Sequence, residues 1–250
     1  MMSLFSLVSY SKNSQEKGLE IATKVQDANN QFLGEINTTK MILIDAYGAQ
    51  TVRKMKGKIL EVENDGDKSL STFLEPLDVK GTKMLTWSHK QKNDDQWLYL
   101  PSLRRVKRIS SSGQSSSFMG SEFSFEDLGS QEVEKFTYNY LKDETLGDSL
   151  TWVLERTPIR KSGYSKQIVW TSKKMLTPLK IEYFDRREKL LKTAVFSDFK
   201  EYSIKKKKMF RANKIHMKNI QTKKESIFLW ETRSLGSVSS SREFMKRSLK

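Results

Sequence analysis

The residue types that most often perform catalysis are sparse in this chain of 250 residues. It contains no cysteine and only two histidines, His89 and His216, which lie far apart in the sequence. No HExxH pair, P-loop, GxGxxG or GxSxG motif is present. The lack of cysteine also excludes disulfides, thiolate nucleophiles and thiolate metal sites. We therefore expect a protein that is not an enzyme and has no cofactor or metal, in which both histidines are structural residues of predicted strands.

Two pairs of adjacent carboxylates, Asp94-Asp95 and Glu126-Asp127, are the remaining candidates for acid-base chemistry. The sequence alone does not establish whether the two pairs lie in one cleft. Because charged side chains are mostly exposed, we interpret both pairs as surface or capping residues. The run Asn64-Asp65-Gly66-Asp67 lacks the ligand spacing of a calcium loop and, since Asp-Gly favours tight turns, it predicts a hairpin.

Positive charge is the strongest bias in the composition, with 45 Lys and Arg against 30 Asp and Glu and a formal net charge of +15. It is densest at Arg104-Arg105-Val106-Lys107-Arg108 and at 205–208. Such runs suit a solvated strand face, nucleic acid or anionic lipid head groups, the last at about 1 kcal/mol per Lys or Arg near a membrane. No nucleic-acid-binding signature is present, so a basic nucleic-acid-binding protein is the remote alternative and we expect no nucleic-acid partner. We predict that Arg104, Arg105, Lys107 and Arg108 contact head groups or a membrane surface.

The elements that must position these residues are mainly strands. Leu19, Ala22 and Val25 recur at three-residue steps and predict one helix from residue 13 to about 32. Beyond it, β-branched and aromatic runs between turn residues predict antiparallel strands in a single β-rich domain. These strands are Lys40–Ala46, Val52–Glu63, Lys68–Leu74, Lys83–His89, Gln96–Leu100, Arg104–Ser110, Glu134–Leu141, Leu150–Arg156, Ser165–Thr171, Pro178–Phe184, Leu190–Phe199, Lys208–Lys218 and Ser226–Arg233.

The predicted sheet has one solvated side in some strands and two covered sides in others. Ile181 and Tyr183 alternate with polar residues, whereas Trp97 and Tyr99 alternate with leucines. The predicted helix and the stretch 115–128 are the candidate covers. Five Trp, thirteen Phe and ten Met suit either a plain core or a cavity that accepts acyl chains.

The first residues have the character of an export signal. Residues 2–11 are largely apolar and carry small residues at Ser9 and Ser11, as the end of a secretory signal peptide does, but the basic n-region is missing. We expect residues 1–12 to be a signal-peptide remnant, or a disordered terminus, and residues 13–250 to form one domain. No apolar run of about 18 residues predicts a transmembrane helix.

Two linked segments, Asp95–Ile109 and Ser117–Leu128, resemble the signature of the LolA-like family of outer-membrane lipoprotein-sorting proteins. The resemblance extends over about residues 18–233. Supporting segments are Asp65–Leu70, Pro76–Thr82, Lys180–Arg186 and Leu190–Thr193.

The resemblance implies a mainly β protein with a few helices, built as a single open antiparallel half-barrel of about 11 strands with a helical lid over a concave apolar cavity. It implies a periplasmic carrier that takes acyl chains of a lipid or lipoprotein from an inner-membrane transporter or exporter to an outer-membrane acceptor, with transient contact to anionic membranes. The alternative is a non-catalytic envelope adaptor that docks on an exporter of the resistance-nodulation-division type. We expect the lid to swing on glycines at positions 113, 120 and 129. The expected acyl-contact residues are Trp87, Trp97, Tyr99, Phe118, Met119, Phe123, Phe125, Leu128, Ile181 and Tyr183.

Overall fold

A computed structural model describes residues 13–237 and 240–250, so the predicted signal remnant at 1–12 lies outside the described residues. Within these ranges the chain forms one α-helix, α1 (Ser14–Asn29), and a single antiparallel sheet of 13 strands. The strands are β1 (Gly34–Ile44), β2 (Gln50–Leu60), β3 (Lys68–Glu75), β4 (Lys83–Trp87), β5 (Asp95–Leu100), β6 (Arg105–Ile109), β7 (Phe136–Leu146), β8 (Ser149–Pro158), β9 (Tyr164–Ser172), β10 (Pro178–Asp185), β11 (Leu190–Ile204), β12 (Lys207–Asn219) and β13 (Glu225–Leu235).

Helix α1 begins at a side-chain cap and packs closely on the sheet. Asn13 Oδ1 accepts the backbone N–H of Glu16 at 2.8 Å, which satisfies one free donor of the first turn. A Cβ atom on Gly18 would lie 2.9 Å from the backbone nitrogen of Tyr140 in β7, so glycine allows this close approach. The helix ends at Asn29, before the predicted residue 32, because Asn30 is extended, with a ψ of 169°, and Gln31 has a φ of 70°, neither of which fits a right-handed helix.

The strand order is β6-β5-β4-β3-β2-β1-β13-β12-β11-β10-β9-β8-β7. Consecutive antiparallel pairs lead from β1 through β2 to β6 at one edge of the sheet. A second series leads from β7 at the other edge through β8 to β13, and β13 pairs with β1 in the middle of the sheet. Each of the 13 strand segments predicted from local patterns is present, including the β2–β3 hairpin. The half-barrel therefore has more strands than the about 11 that the family resemblance implied. His89, predicted in a strand, lies in the loop after β4.

The connection between the two edge strands crosses the sheet. Because β6 and β7 lie at opposite edges, residues 110–135, here called the crossing segment, must span the distance between them. Phe118, Phe123 and Phe125 of this segment are buried in the main core together with residues of both halves of the sheet. We call the face that the crossing segment covers the inner face.

The sheet curves strongly around this segment. Ser69 of β3 and Leu154 of β8 line the same cleft although they are eight strands apart in the sheet order. Eight strand spacings of about 4.8 Å would separate them by roughly 38 Å in a flat sheet. The structure therefore confirms an open, mainly β, antiparallel architecture.

Among the described residues, no helix has the length and apolar character needed to cross a bilayer.

The outer face of β3–β6 is also covered, as the two-sided apolar pattern of β5 predicted. Its cover is the tail segment, residues 240–250, which forms two short 3₁₀ helices. Phe244 and Leu249 are each 1% exposed and pack against Leu85 and Trp97. Sequence reasoning did not assign this role to the tail segment.

Candidate functional site: the inner cleft

A cleft remains on the inner face between α1, the crossing segment and the sheet. It has two adjoining parts, with volumes of about 390 Å³ and 460 Å³. The larger part lies beside α1, and we call it the charged part; the other is the apolar part. Their shared walls are Glu35, Ile59, Ser69, Leu128, Thr177 and Arg211.

The apolar part is walled by side chains in register across neighbouring strands. Phe196 of β11 lies directly opposite Ile215 of β12, which lies opposite Phe228 of β13. Phe228 in turn lies opposite Met41 of β1, which belongs to the fully buried core and does not line the cleft. Because directly paired residues of an antiparallel sheet share a face, these four side chains form one continuous apolar surface. The other large apolar residues of this part are Met55, Ile59, Met84, Phe118, Phe123, Leu128 and Trp230.

A buried ion pair lies at the boundary of the two parts. Arg233 Nε donates to Glu35 Oε1 at 3.1 Å, and both side chains are almost fully buried. Asn37 Nδ2 donates to the same carboxylate oxygen at 2.7 Å, and Arg233 also donates to the carbonyl of Ala212 at 2.9 Å. Because a buried charge is tolerated when it is paired and hydrogen-bonded, this network accommodates the charges of Glu35 and Arg233 in the wall of the cleft.

The charged part is lined by three carboxyls, those of Glu35, Asp67 and Glu132, and by the guanidiniums of Arg156 and Arg211. Burial raises the pKa of Asp67 to about 7, and the nearby charges of Glu132 and Glu61 add to this effect. Burial also raises the pKa of Glu132. Arg156 donates from Nε to Gln167 Oε1 at 2.7 Å, and Arg211 donates to the Asn29 carbonyl of α1 at 3.1 Å. One end of the cleft can therefore meet a polar group while the other meets hydrocarbon.

The crossing segment is fastened to the sheet by a second buried ion pair. Lys192 Nζ of β11 lies 2.7 Å from Asp127 Oδ2, and the two side chains are 4% and 7% exposed. Tyr164 Oη donates to Asp127 Oδ1 at 2.9 Å, while the carboxylate accepts the backbone N–H of Ser124 at 2.7 Å. The capping role expected for Asp127 is thus confirmed, but its expected surface position is wrong because the segment lies against the sheet.

Asp94, the first residue of the other pair of adjacent carboxylates, is also held inside the molecule. Asp94 Oδ1 accepts from Lys135 Nζ at 2.8 Å, and the pair is largely buried. Asp94, Glu126 and Asp127 surround one small cavity of about 90 Å³, in which Glu126 accepts from the Ser162 hydroxyl at 2.6 Å. The surface assignment is therefore wrong for Asp94, whereas Asp95 lies opposite Trp87 and pairs with the exposed side chains of Arg108 and Lys92.

Both histidines are paired with carboxylates. His89 Nδ1 lies 2.6 Å from Asp65 Oδ2, and His216 Nε2 lies 2.6 Å from Glu225 Oε2. Within residues 13–237 and 240–250, no group of three or more His, Asp or Glu side chains is arranged to hold a metal ion.

The ten predicted acyl-contact residues fall into three groups. Phe118, Phe123 and Leu128 line the cleft. Met119, Phe125, Ile181 and Tyr183 belong to the inner-face core or pack against it, but do not line the cleft.

The third group, Trp87, Trp97 and Tyr99, requires a correction. These residues lie on the outer face, where they pack with the tail segment, and Trp87 Nε1 donates to the Phe244 carbonyl at 2.7 Å. Since successive side chains of a strand alternate, the inward positions of Leu98 and Leu100 turn their neighbours outward.

The four predicted head-group residues are all exposed, but they do not form one cluster. Lys107 lies opposite inward-facing Leu98, whereas Arg108 lies opposite Trp97 on the other face and pairs with Asp95. Arg104 and Arg105 instead border a shallow surface cleft together with the tail segment.

Several cleft residues were missed by sequence reasoning. The alternation of Phe228 and Trp230 along β13 does signal an apolar face, although nothing local tells that it is the inner one. No local signal marks Arg211 or Asp67, which approach α1 and the crossing segment only through the curvature of the sheet.

An open antiparallel sheet that curves around a crossing segment defines a half-barrel fold, and comparisons with known proteins show the same fold. A family model described as an uncharacterized protein matches residues 65–250. A crystal structure of an outer membrane lipoprotein-sorting protein domain from Vibrio parahaemolyticus is 45% identical, with 94% of this chain and 99% of that chain covered and a TM-score of 0.91.

Two further crystal structures show a similar fold. A DUF1329 family protein from Desulfovibrio piger is 25% identical, with 96% of this chain and 100% of that chain covered and a TM-score of 0.89. A LolA superfamily protein from Nitrosomonas europaea, at 19% identity, covers 95% and 100% of the two chains with a TM-score of 0.72. No curated protein matches significantly. The chain belongs to the family of LolA-like outer-membrane lipoprotein-sorting proteins.

Proposed function

We propose that the protein is a periplasmic carrier that binds acyl chains of a lipid or lipoprotein in the inner cleft and transfers them between envelope components without catalysis. The observation that carries this proposal is the apolar part of the cleft, with its Met and aromatic walls. Both parts have volumes within the range of about 300–1,000 Å³ that is typical of ligand sites. Residues 13–250 would act as one lipid-binding domain.

The chemistry of the cleft suits an amphiphile. Each CH₂ group that moves from water to an apolar surface contributes about 0.8 kcal/mol, so an acyl chain supplies ample driving force. The flexible side chains of Met55 and Met84 can adapt to chains of different shape. A polar head group would lie in the charged part, near Arg211 and Asp67. The description of the Vibrio relative as a lipoprotein-sorting domain supports this assignment.

Transfer of an acyl chain requires that the segment covering the cleft can move away. The crossing segment fills the centre of the inner face, and its attachment through Asp127 and Lys192 would have to loosen for long chains to enter fully. Directional transfer then needs only a ligand affinity between those of the donor and the acceptor. An inner-membrane transporter or exporter would be the donor, and an outer-membrane protein the acceptor.

A substitution at the junction of the two parts tests the proposal. Ser69 borders both parts, so the side chain of Ser69→Phe would occupy open space in the cleft and not packed core. We expect Ser69→Phe to weaken binding of a fluorescent fatty acid by about tenfold, the equivalent of roughly two lost CH₂ contacts, while Ser69→Ala binds like the wild type.

Mass spectrometry of the purified wild-type protein provides an independent measurement. We expect co-purified phospholipid or fatty acid in the wild type and less of it in Ser69→Phe. A wild-type protein that is free of lipid and does not bind added fatty acid would contradict the carrier function. Recovery of that lipid-free protein with an exporter from native envelopes would support the adaptor alternative.

A further inference from the structure

Two neighbouring turns at one end of the sheet expose large aliphatic side chains. Leu77, in the turn between β3 and β4, is 86% exposed, and Leu103, in the turn between β5 and β6, is 66% exposed. The turns are adjacent, since a Cβ atom on Gly81 would lie 3.3 Å from Cγ of Pro101. Exposed leucines are common singly, but two at adjacent tips form the beginning of an apolar patch.

The tail segment adds cations beside these turns. Lys246, Arg247 and Lys250 border the same shallow cleft as Arg104 and Arg105. The burial of Phe244 and Leu249 on the outer face holds the tail there. Two segments about 140 positions apart in the sequence thus build one basic surface.

These cations are available for an external partner. In the part of the chain that the structure describes, none of the five forms an ion pair with an acidic side chain. Lys80 adds a further positive charge in the β3–β4 turn, and Asp78 is an opposing negative charge there. Glu75, at the end of β3, is paired with Lys54.

We propose that this surface, formed by the two turns and the tail segment, docks the protein on an anionic lipid bilayer. Leu77 and Leu103 would enter the head-group region, and the five cations would contact lipid phosphates. A bilayer matches the pattern better than a protein partner, whose hot spots are usually aromatic or Arg side chains set in pockets. Nucleic acid would use the charge but not the leucines.

The docking surface is separate from the inner cleft, because none of its residues lines either part of the cleft. The inference therefore goes beyond acyl-chain binding: it places the protein against the membrane whatever the cleft contains. The two proposals can fail independently.

Vesicle co-sedimentation tests the docking surface. We expect the wild type to bind vesicles of phosphatidylcholine with phosphatidylglycerol, and to bind vesicles of phosphatidylcholine alone much less. Lys246→Glu/Arg247→Glu should weaken anionic binding by more than about tenfold, and Leu77→Ser/Leu103→Ser by about fivefold. All four positions are exposed, so folding should be preserved, which a thermal melt checks.

The matched control is Lys205→Glu/Lys206→Glu, which makes the same change of charge in the exposed β11–β12 turn. We expect it to leave vesicle binding within about twofold of the wild type, because the contact is local. Equal loss in the control and tail variants would show a general effect of net charge and overturn the proposal, as would equal binding to neutral vesicles. Fatty-acid binding should be unchanged in the tail variants, whereas Ser69→Phe should retain vesicle binding.

Discussion

The two faces of the sheet use the same residue types for different purposes. On the outer face of β3–β6, the aromatic and aliphatic side chains pack against Phe244 and Leu249, which are almost completely buried. On the inner face, methionine and aromatic side chains face a cleft of about 390 Å³ that the crossing segment leaves open. Both faces are covered by a segment outside the sheet, but only the inner cover leaves a cleft between itself and the apolar face of the sheet; the cleft beside the tail segment is shallow and lies at the surface.

The covers also differ in how they are attached. The tail segment is held by apolar packing of Phe244 and Leu249 and by hydrogen bonds from Trp87 to the Phe244 carbonyl and from Lys83 to the Ser248 carbonyl. Its one ion pair with the sheet in the described residues, Lys58 with Glu243, is partly exposed. The crossing segment is held by the buried Asp127–Lys192 pair and its hydrogen bonds. The difference shows that the tryptophans of β4 and β5 pack against a covering segment and do not line the inner cleft.

The largest expected effect is at the ionic attachment of the inner cover. Lys192→Met leaves the Asp127 carboxylate buried without its partner, and we expect a loss of about 3–5 kcal/mol in the free energy of unfolding, measured by urea titration. The double variant Lys192→Met/Asp127→Asn removes both charges and should recover part of this loss. If Lys192→Met alone proved as stable as the wild type, the ionic attachment would not distinguish the inner cover from the outer one.

A smaller effect is expected at the apolar attachment of the outer cover. Phe244→Ala removes a ring that is 1% exposed and should lower the free energy of unfolding by about 3 kcal/mol, with fatty-acid binding retained. Arg242→Ala, an exposed change in the same tail segment, should stay within about 0.5 kcal/mol of the wild type. Loss of fatty-acid binding in a folded Phe244→Ala protein would show that the two faces are coupled.

The smallest expected effect on the free energy of unfolding concerns the carboxyl of Asp67, which lines the charged part of the inner cleft. Because burial raises the pKa of Asp67 from 3.8 to about 7, the folded state keeps a proton that the unfolded state releases. The contribution of protonated Asp67 to the free energy of unfolding is therefore fully present below about pH 4 and is lost as the pH rises from about 4 to about 7. Asp67→Asn should be on the order of 2 kcal/mol more stable than the wild type at pH 8 and nearly equal to it at pH 4.

Chemical denaturation at pH 4, 6 and 8 measures this difference. The side-chain oxygen of Asp67→Asn can still accept the hydrogen bond from the Val62 N–H. The variant therefore removes the titratable group and keeps this backbone contact, so a stability difference between the two proteins reports on the charge. A difference between the two proteins that does not grow with pH would mean that Asp67 is ionised and solvated in the folded protein.

Local patterns in the sequence were sufficient for the elements. Each predicted strand segment is present, the Asp65-Gly66 turn joins β2 to β3, and the helix begins where Asn13 supplies a cap. These features depend on residues close together in the chain, through side-chain alternation and turn chemistry. The LolA-like resemblance of the segments 95–109 and 117–128 was likewise readable from the sequence and is confirmed by the Vibrio relative.

The tertiary structure alone decided which face each residue serves. Alternation separates Trp97 from Leu98 but does not say which of them lies on the concave side, because both sides are apolar and both are covered. Curvature arises from the accumulated twist of 13 strands, and the Asp127–Lys192 contact joins positions 65 residues apart. Local periodicity reports only on residues a few positions apart in the sequence. The cleft, its charged part and the covering role of the tail segment therefore become apparent only in the folded chain.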